Sequence, residues 1–191
     1  VFLAGDAVRH VGIVLAGAVH IVQEDVWGNR TILLHRGPSG LFAEAFSCAQ
    51  VKHVPVSAVA AEKSVILMID YRRIVNTCSP ACVYHARLLT NMLGILARNN
   101  IALTHKVEHI SRRTTRDKLL SYLSAQALEQ GGPAFAIPFN RQELAEYLAV
   151  DRSAMSAELG RMRDDGLLRF DKNRFELLTR ARPGPLPCTP G

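Results

Sequence analysis

Between Cys82 and Ile110 one set of positions, Cys82, Ala86, Leu89, Leu93, Leu96, Leu103, Val107 and Ile110, is apolar throughout, with Asn100 in the one remaining slot of its register. The steps alternate four, three, four, three without a break, a coiled-coil register kept over about four heptads. Ser79-Pro80 just upstream reads as an N-cap followed by proline at the first helical position. A helix of this length runs on the order of 45 Å at its standard rise. Asn100 favours pairing over a helix lying on its own domain's core, because a seam Asn fixes register at some cost in stability. The pattern predicts a homodimer with Leu89, Leu93, Leu96, Asn100 and Leu103 along the contact.

That rod divides a chain of 191 residues, longer than one typical domain, into two dissimilar parts. The first carries short β-branched runs, Val11–Leu15, Ala18–Val22, Thr31–Leu34 and Ser64–Ile69, punctuated by Gly12, Gly17, Trp27-Gly28-Asn29, Gly37-Pro38 and Gly40. Short strands at such spacing predict a sandwich or a rolled barrel. Asp70 can cap a short helix over Tyr71 to Asn76. After the rod, Ser111 to Thr115 is a basic, hydroxyl-rich break where we expect a hinge. Arg116 to Glu129 follows as a helix with Leu119, Leu120, Leu123 and Leu128 inward, stopped by Gly131-Gly132-Pro133.

Residues 140 to 168 read NRQELAEYLAVDRSAMSAELGRMRDDGLL, two helical patterns joined by Ala-Val-Asp with no glycine or proline. Asn140 and Glu143 have capping-box spacing, and Asp151 is placed to cap the second helix. On a helical wheel Met155, Leu159 and Met162 form one stripe, facing Leu144 and Leu148. Ser153, Ala157, Gly160 and Asp164 point the other way, with Ser156 and Arg161 flanking. Small side chains on an exposed face permit close approach, and Arg152 in the first turn can reach a base edge, so the second helix suits a DNA major groove. Phosphates would then meet Asn140 and Arg141 at the N-terminus of the first helix. Leu167–Phe170 and Phe175–Leu178, around the turn Asp171-Lys172-Asn173, predict a β-hairpin wing, preceded by a short strand over Phe135–Phe139. Residues 179 to 191 hold four prolines and read as a disordered tail.

Other features narrow the function classes. The net charge is +6; Lys and Arg exceed Asp and Glu by 10 to 7 through Ile110 and by 13 to 10 after it. That balance permits a nucleic-acid partner without establishing one. No apolar run approaches the ~20 residues of a membrane helix. The four cysteines lack CxxC or disulfide-framework spacing, consistent with reduced thiols in a cytosol. Cys78, Cys82 and His85 share one helical stripe and could hold zinc or haem iron, with Cys48 or His53 as further ligands; small apolar packing is the competing reading. Glu44, Asp70 and His35 make no recognisable catalytic set, and neither G-x-S-x-G nor a P-loop occurs, so no enzyme is expected. The start at Val1, inside a strand-like stretch, leads us to expect a natural segment before it.

The ordered motifs resemble a known family. Arg141-Gln-Glu-Leu-Ala, Val150-Asp-Arg-Ser-Ala-Met-Ser, Asp165-Gly-Leu-Leu and the wing look like the winged helix-turn-helix of the cyclic-AMP receptor / fumarate-nitrate regulator (CRP/FNR) family. Phe2-Leu-Ala-Gly-Asp6, Asp25-Val-Trp-Gly28 and Leu41-Phe-Ala-Glu44, in place of a Phe-Gly-Glu cassette, agree in the same order. The resemblance covers about residues 1 to 178. It implies an α+β chain with an N-terminal β-roll of the cyclic-nucleotide-binding, cupin-like fold at 1–76, a dimerisation helix at 77–110, and a winged helix-turn-helix at 111–178. It further implies a homodimeric, cytoplasmic transcription regulator that binds double-stranded DNA, works with RNA polymerase and answers a small-molecule effector. The expected DNA contacts are Asn140, Arg141, Gln142, Arg152, Ser153, Ser156, Arg161 and Lys172; the expected effector pocket is Phe42, Glu44, Val54, Val56 and Ser57. Three departures stand out. Val54-Pro-Val-Ser57 occupies the place of the family's Arg-Ser step, whose Arg pairs with the cyclic phosphate, so cyclic AMP is not the expected effector. Ala43 replaces the cassette glycine, and Ala157 stands where many members carry Arg. The cysteine cluster of the iron–sulfur members is not in this sequence.

Overall fold

The computed structural model describes residues 1–72 and 83–178, and the side chain of His85 lies outside that description. Cys78, Cys82, the helix expected after Asp70 and the tail expected over 179–191 therefore fall outside the described residues, apart from Tyr71 and Arg72. The chain divides into two compact units, Val1–His105 and Lys106–Gly191.

The first unit is built on two three-stranded antiparallel sheets. In one, β1 (His10–Ala16) lies between β4 (Leu41–Phe42) and β6 (Val65–Asp70); in the other, β2 (Val19–Glu24) lies between β3 (Arg30–Arg36) and β5 (Ser57–Ala60). The four β-branched runs of the sequence all fall in these strands. β4 and β5 were not expected, because each is short and lies next to residues that read as turn or cassette. Phe2, Val14, Val19, Ile21, Phe42, Val54, Val56 and Ala58 share one buried core. The hairpin between β2 and β3 is closed by Asp25, whose carboxylate accepts from the Trp27 and Asn29 backbone N–H groups at 2.9 Å each.

A 28-residue helix, α2 (Val83–Ile110), follows the described part of the roll and its cassette helix α1 (Glu44–Cys48). Within the first unit α2 lays Met92 and Ile95 on a small cluster around Val11 and Leu41. These two residues lie on a different stripe from the heptad seam. The seam leucines Leu89, Leu93 and Leu103 stay exposed on the single chain.

In the second unit α3 (Thr115–Glu129) begins at Thr114, whose hydroxyl accepts from the Asp117 N–H. The helix-turn-helix is α4 (Arg141–Leu148) and α5 (Arg152–Asp164), and β7 (Ala134–Ala136), β8 (Leu168–Asp171) and β9 (Arg174–Leu177) form an antiparallel sheet in the order β7-β9-β8. Leu119, Leu123, Leu144, Leu148, Met155, Leu159, Met162 and Leu168 are fully buried together. Leu128, expected inward, is 68% exposed. It sits in the last turn of α3, one residue before the helix ends, where no neighbouring element covers it.

Candidate nucleic-acid interface and effector cassette

The tight joint between α4 and α5 is made without glycine. Ala149 closes α4 in a left-handed conformation, φ +50°, and Asp151 then caps α5 by accepting from the Ala154 N–H at 2.8 Å. A non-glycine residue there is strained by roughly 1–2 kcal/mol. Lys118 of α3 offsets part of that strain, since its ammonium donates to the Leu148 and Ala149 carbonyls at 3.3 Å each and satisfies orphan groups at the end of α4. At the other end the capping box is complete. The Asn140 side chain accepts from the Glu143 N–H at 3.0 Å, and Glu143 accepts from the Asn140 N–H at 2.8 Å. Both caps were legible because each is decided within four residues.

On this scaffold α5 exposes Arg152, Ser153, Ser156 and Ala157. The Ser153 hydroxyl donates to Asp151, so it sits in the cap network while remaining exposed. A Cβ built on Gly160 would meet nothing within 4 Å, so that stretch of the face is open. Gln142 is exposed on α4 and donates to Glu146 at 3.0 Å. Lys172 stands at the wing tip with φ +51°, and the neighbouring Asn173 ties the tip to the body by donating to the Ile137 carbonyl at 3.1 Å.

Three features of this surface were not read from sequence. Arg141 is half-buried, and its guanidinium stacks over the rings of Phe170 and Phe175, with centroids 4.6 and 5.1 Å away. Burial pushes its ionisation below the ordinary arginine value. The first residue of α4 thus also braces the wing. Glu158 is buried on the inner stripe of α5, where it takes Arg116 of α3 at 2.6 Å and Arg161 through a forked contact. The Arg116 hydrogen bond, followed by the Arg161 one, holds the Glu158 carboxyl below its usual range. The sequence signal for Glu158 was its position, an acid between Met155, Leu159 and Met162, although its partner lies 42 residues upstream. Last, Lys106 is buried with its ammonium 4.8 Å from the centre of the Tyr147 ring, and desolvation lowers its pKa to about 8.

The cassette lies in the first unit. Ala43 precedes α1 in a left-handed conformation, φ +65°, and is buried, which is the physical reason a glycine suits this position. Phe42 packs its ring on Gly12 so closely that a Cβ there would lie 2.2 Å from the ring tip. Val54 and Val56 are both buried in the roll core with Phe42. The Ser57 hydroxyl accepts from the Ala4 N–H at 2.9 Å. Glu44 is buried, and the Asn99 amide of α2 donates to it at 2.6 Å. The structure thus brings Phe42, Val54 and Val56 into one core, and it joins Glu44 to the long helix rather than leaving its carboxylate open. Val54 and Val56 offer methyl groups at this point, whereas a phosphate is held by a cation or by several N–H donors.

Among the described residues no group of three or more His, Cys, Asp or Glu is placed to hold a metal ion, and no helix is long and apolar enough to cross a membrane.

Residues 1–79 match the cyclic nucleotide-binding domain family, and residues 117–182 match the Crp-like helix-turn-helix domain family. Among solved structures, the chain is similar to TTHB099, a transcriptional regulator of the CRP family from Thermus thermophilus, with 21% identity, a TM-score of 0.70, and 95% of this chain and 89% of that one covered. FixK2 from Bradyrhizobium japonicum gives 16% identity and a TM-score of 0.73 over 95% and 89% of the two chains. CLP from Xanthomonas campestris, a c-di-GMP responsive global regulator, gives 20% and 0.75 over 94% and 89%. Identities this low show a shared fold alone. No curated protein sequence matches this chain.

Proposed function

We propose, for a chain that belongs to the CRP/FNR family of transcription regulators, that two copies pair along α2, bind double-stranded DNA sequence-specifically through α5, and regulate transcription in response to a signal received by the β-roll. The observation that carries the DNA-binding part is α5 itself. It is fixed by four fully buried contacts on one side, Met155, Leu159, Met162 and the adjoining Leu144, and on the other side exposes small residues flanked by arginines. Arg152, Ser153 and Ser156 read base edges in this proposal. Asn140, Arg141 and Gln142 at the start of α4, Arg161 on α5 and Lys172 in the wing meet phosphates. The exposed seam leucines support pairing, with half-sites about one helical turn, ~34 Å, apart. Such a protein works in the compartment that holds the DNA, the cytoplasm, alongside RNA polymerase.

The effector we propose is not cyclic AMP. Buried Val54 and Val56 and the engaged carboxylate of Glu44 support that reading. Calorimetry with cyclic AMP should show no submillimolar binding, and submillimolar affinity would overturn it.

Selection of duplexes from a random pool by the wild-type protein tests the central claim. Arg152→Ala should lose about 1–3 kcal/mol on the selected site and relax base preference there. Arg141→Ala should weaken all duplexes alike and flatten the salt dependence. Equal loss on selected and random DNA for Arg152→Ala would remove the readout role of α5.

A further inference from the structure

α5 carries one acid on its buried stripe, and that acid is shared between two arginines. Glu158 Oε1 accepts from Arg116 Nε, in the first turn of α3, at 2.6 Å. Oε2 accepts from Arg161 Nε at 2.9 Å and from one of its terminal nitrogens. Arg116 also donates to Asp165, just past the end of α5, at 2.6 Å. Arg116 therefore grips α5 at two points about two turns apart.

The wheel places these groups. At about 100° per residue, Met155, Glu158, Leu159 and Met162 make the buried side, and Ser153, Ala157 and Gly160 lie opposite. Arg152 and Arg161 stand on the two flanks between them. Arg161 is on the flank that Glu158 and Asp165 share with α3. It is also nine residues beyond Arg152, about 13 Å along the axis, comparable to the ~12 Å width of the major groove. With Arg152 at base edges, Arg161 stands at the groove edge, where the phosphates are.

We propose that Glu158 is a positioning residue for DNA binding: gripped by Arg116, it fixes α5 on α3 and holds the Arg161 guanidinium at the rim of the recognition face, aimed at a backbone phosphate. The proposal rests on the reading of α5 as the DNA-recognition helix. A guanidinium has five donor hydrogens and Glu158 occupies two of Arg161's, so the remainder can meet phosphate oxygens. Because the side chain is already ordered, less of its rotamer freedom is lost when DNA arrives.

The test is a mutant cycle over Glu158→Gln and Arg161→Ala, measured from low to high salt on a duplex that the wild type recovers from a random pool. Arg161→Ala should lower the log–log salt slope by about 0.9 per copy, about 1.8 for a dimer that places Arg161 on a phosphate in each half-site. Glu158→Gln alone should lower it by a similar amount with at least a tenfold loss of affinity, and the double variant should be no worse than the poorer single one. Asp165→Asn, which leaves the Glu158–Arg161 contact in place, should keep the slope. If Glu158→Gln fails to fold, Glu158→Asp, which keeps the charge but shortens the reach, carries the same cycle. Additive losses, or a loss of affinity with the slope intact, would mean that Glu158 merely stabilises the fold, and the proposal is overturned. A wild type that recovers no duplex at all would overturn the DNA-binding reading, and this proposal with it.

Discussion

Leu93→Ala isolates the proposed dimer seam, because α2 carries two apolar stripes and its own unit covers the one with Met92 and Ile95. Met92 and Ile95 are occupied by the roll of their own unit, whereas Leu93 is 66% exposed on the single chain. Fully burying a leucine is worth about 1.5–3 kcal/mol, so covering two-thirds of it contributes about 1–2 kcal/mol per copy. A symmetric seam contains the residue twice, so the dimer should lose about 2–4 kcal/mol, and its Kd should rise roughly 30- to 700-fold. Ile101, 55% exposed and one position past Asn100, faces away from the seam in the heptad register. Ile101→Ala removes similar apolar area and should leave the Kd unchanged. Asn100→Leu has the opposite sign. It should tighten the dimer and bias DNA affinity whether or not effector is present. Sedimentation equilibrium across protein concentration reads all three. Equal shifts for Leu93→Ala and Ile101→Ala, or a wild type that stays monomeric at micromolar concentration, would refute the seam.

Three further outcomes follow from single residues. Lys106 binds a proton more weakly folded, at about 8, than unfolded, so between pH 8 and about 10.4 the unfolded chain holds more protons and stability rises with pH; the melting temperature of wild type relative to Lys106→Met should climb over that window, and a flat difference refutes the buried site. Ala43→Gly removes roughly 1–2 kcal/mol of left-handed strain against about 0.5–1 kcal/mol of added chain entropy, so thermal unfolding should shift slightly upward, and a clear fall would show that the methyl group packs better than the strain costs. Asn99→Ala strips a donor from the buried Glu44 carboxylate and should destabilise the first unit by about 1–3 kcal/mol, visible in urea unfolding; an unchanged midpoint would mean that Glu44 has another adequate donor.

What could be read from sequence was what is settled within a few residues or by one period. The capping box Asn140–Glu143, the Asp151 cap, the wing hairpin and the buried stripe of α5 all belong to that class. The contacts that give those elements their chemistry join distant residues. Glu44 and Asn99 are 55 apart, and Arg116 and Glu158 are 42 apart. Nothing local marks Asn99 as a donor, since it sits beside Asn100, which the heptad pattern claims for the seam. Leu128 misled for the complementary reason: periodicity tells which face a residue is on, but at the end of α3 no element covers that face. β5 was hidden because its strand begins at Ser57, where the family cassette suggested a ligand-binding step.

The first of these contacts limits how a signal can travel inside the first unit. Glu44 belongs to α1 and Asn99 to α2, so their hydrogen bond links the cassette to the helix on which we propose the seam. One residue further along, Asn100 lies in that seam. A ligand acts only through a difference in affinity between two arrangements. One that enters beside Phe42 must therefore either spare this bond or offset the roughly 1–3 kcal/mol of leaving Glu44 without its donor. Val54 and Val56 fill the neighbouring core with methyl groups, while the Arg36 guanidinium donates to the Leu41 carbonyl beside Phe42 at 3.0 Å. An effector that replaced the Asn99 amide on Glu44 would therefore loosen one contact between α2 and the roll while the packing of Met92 and Ile95 on Val11 and Leu41 stays in place.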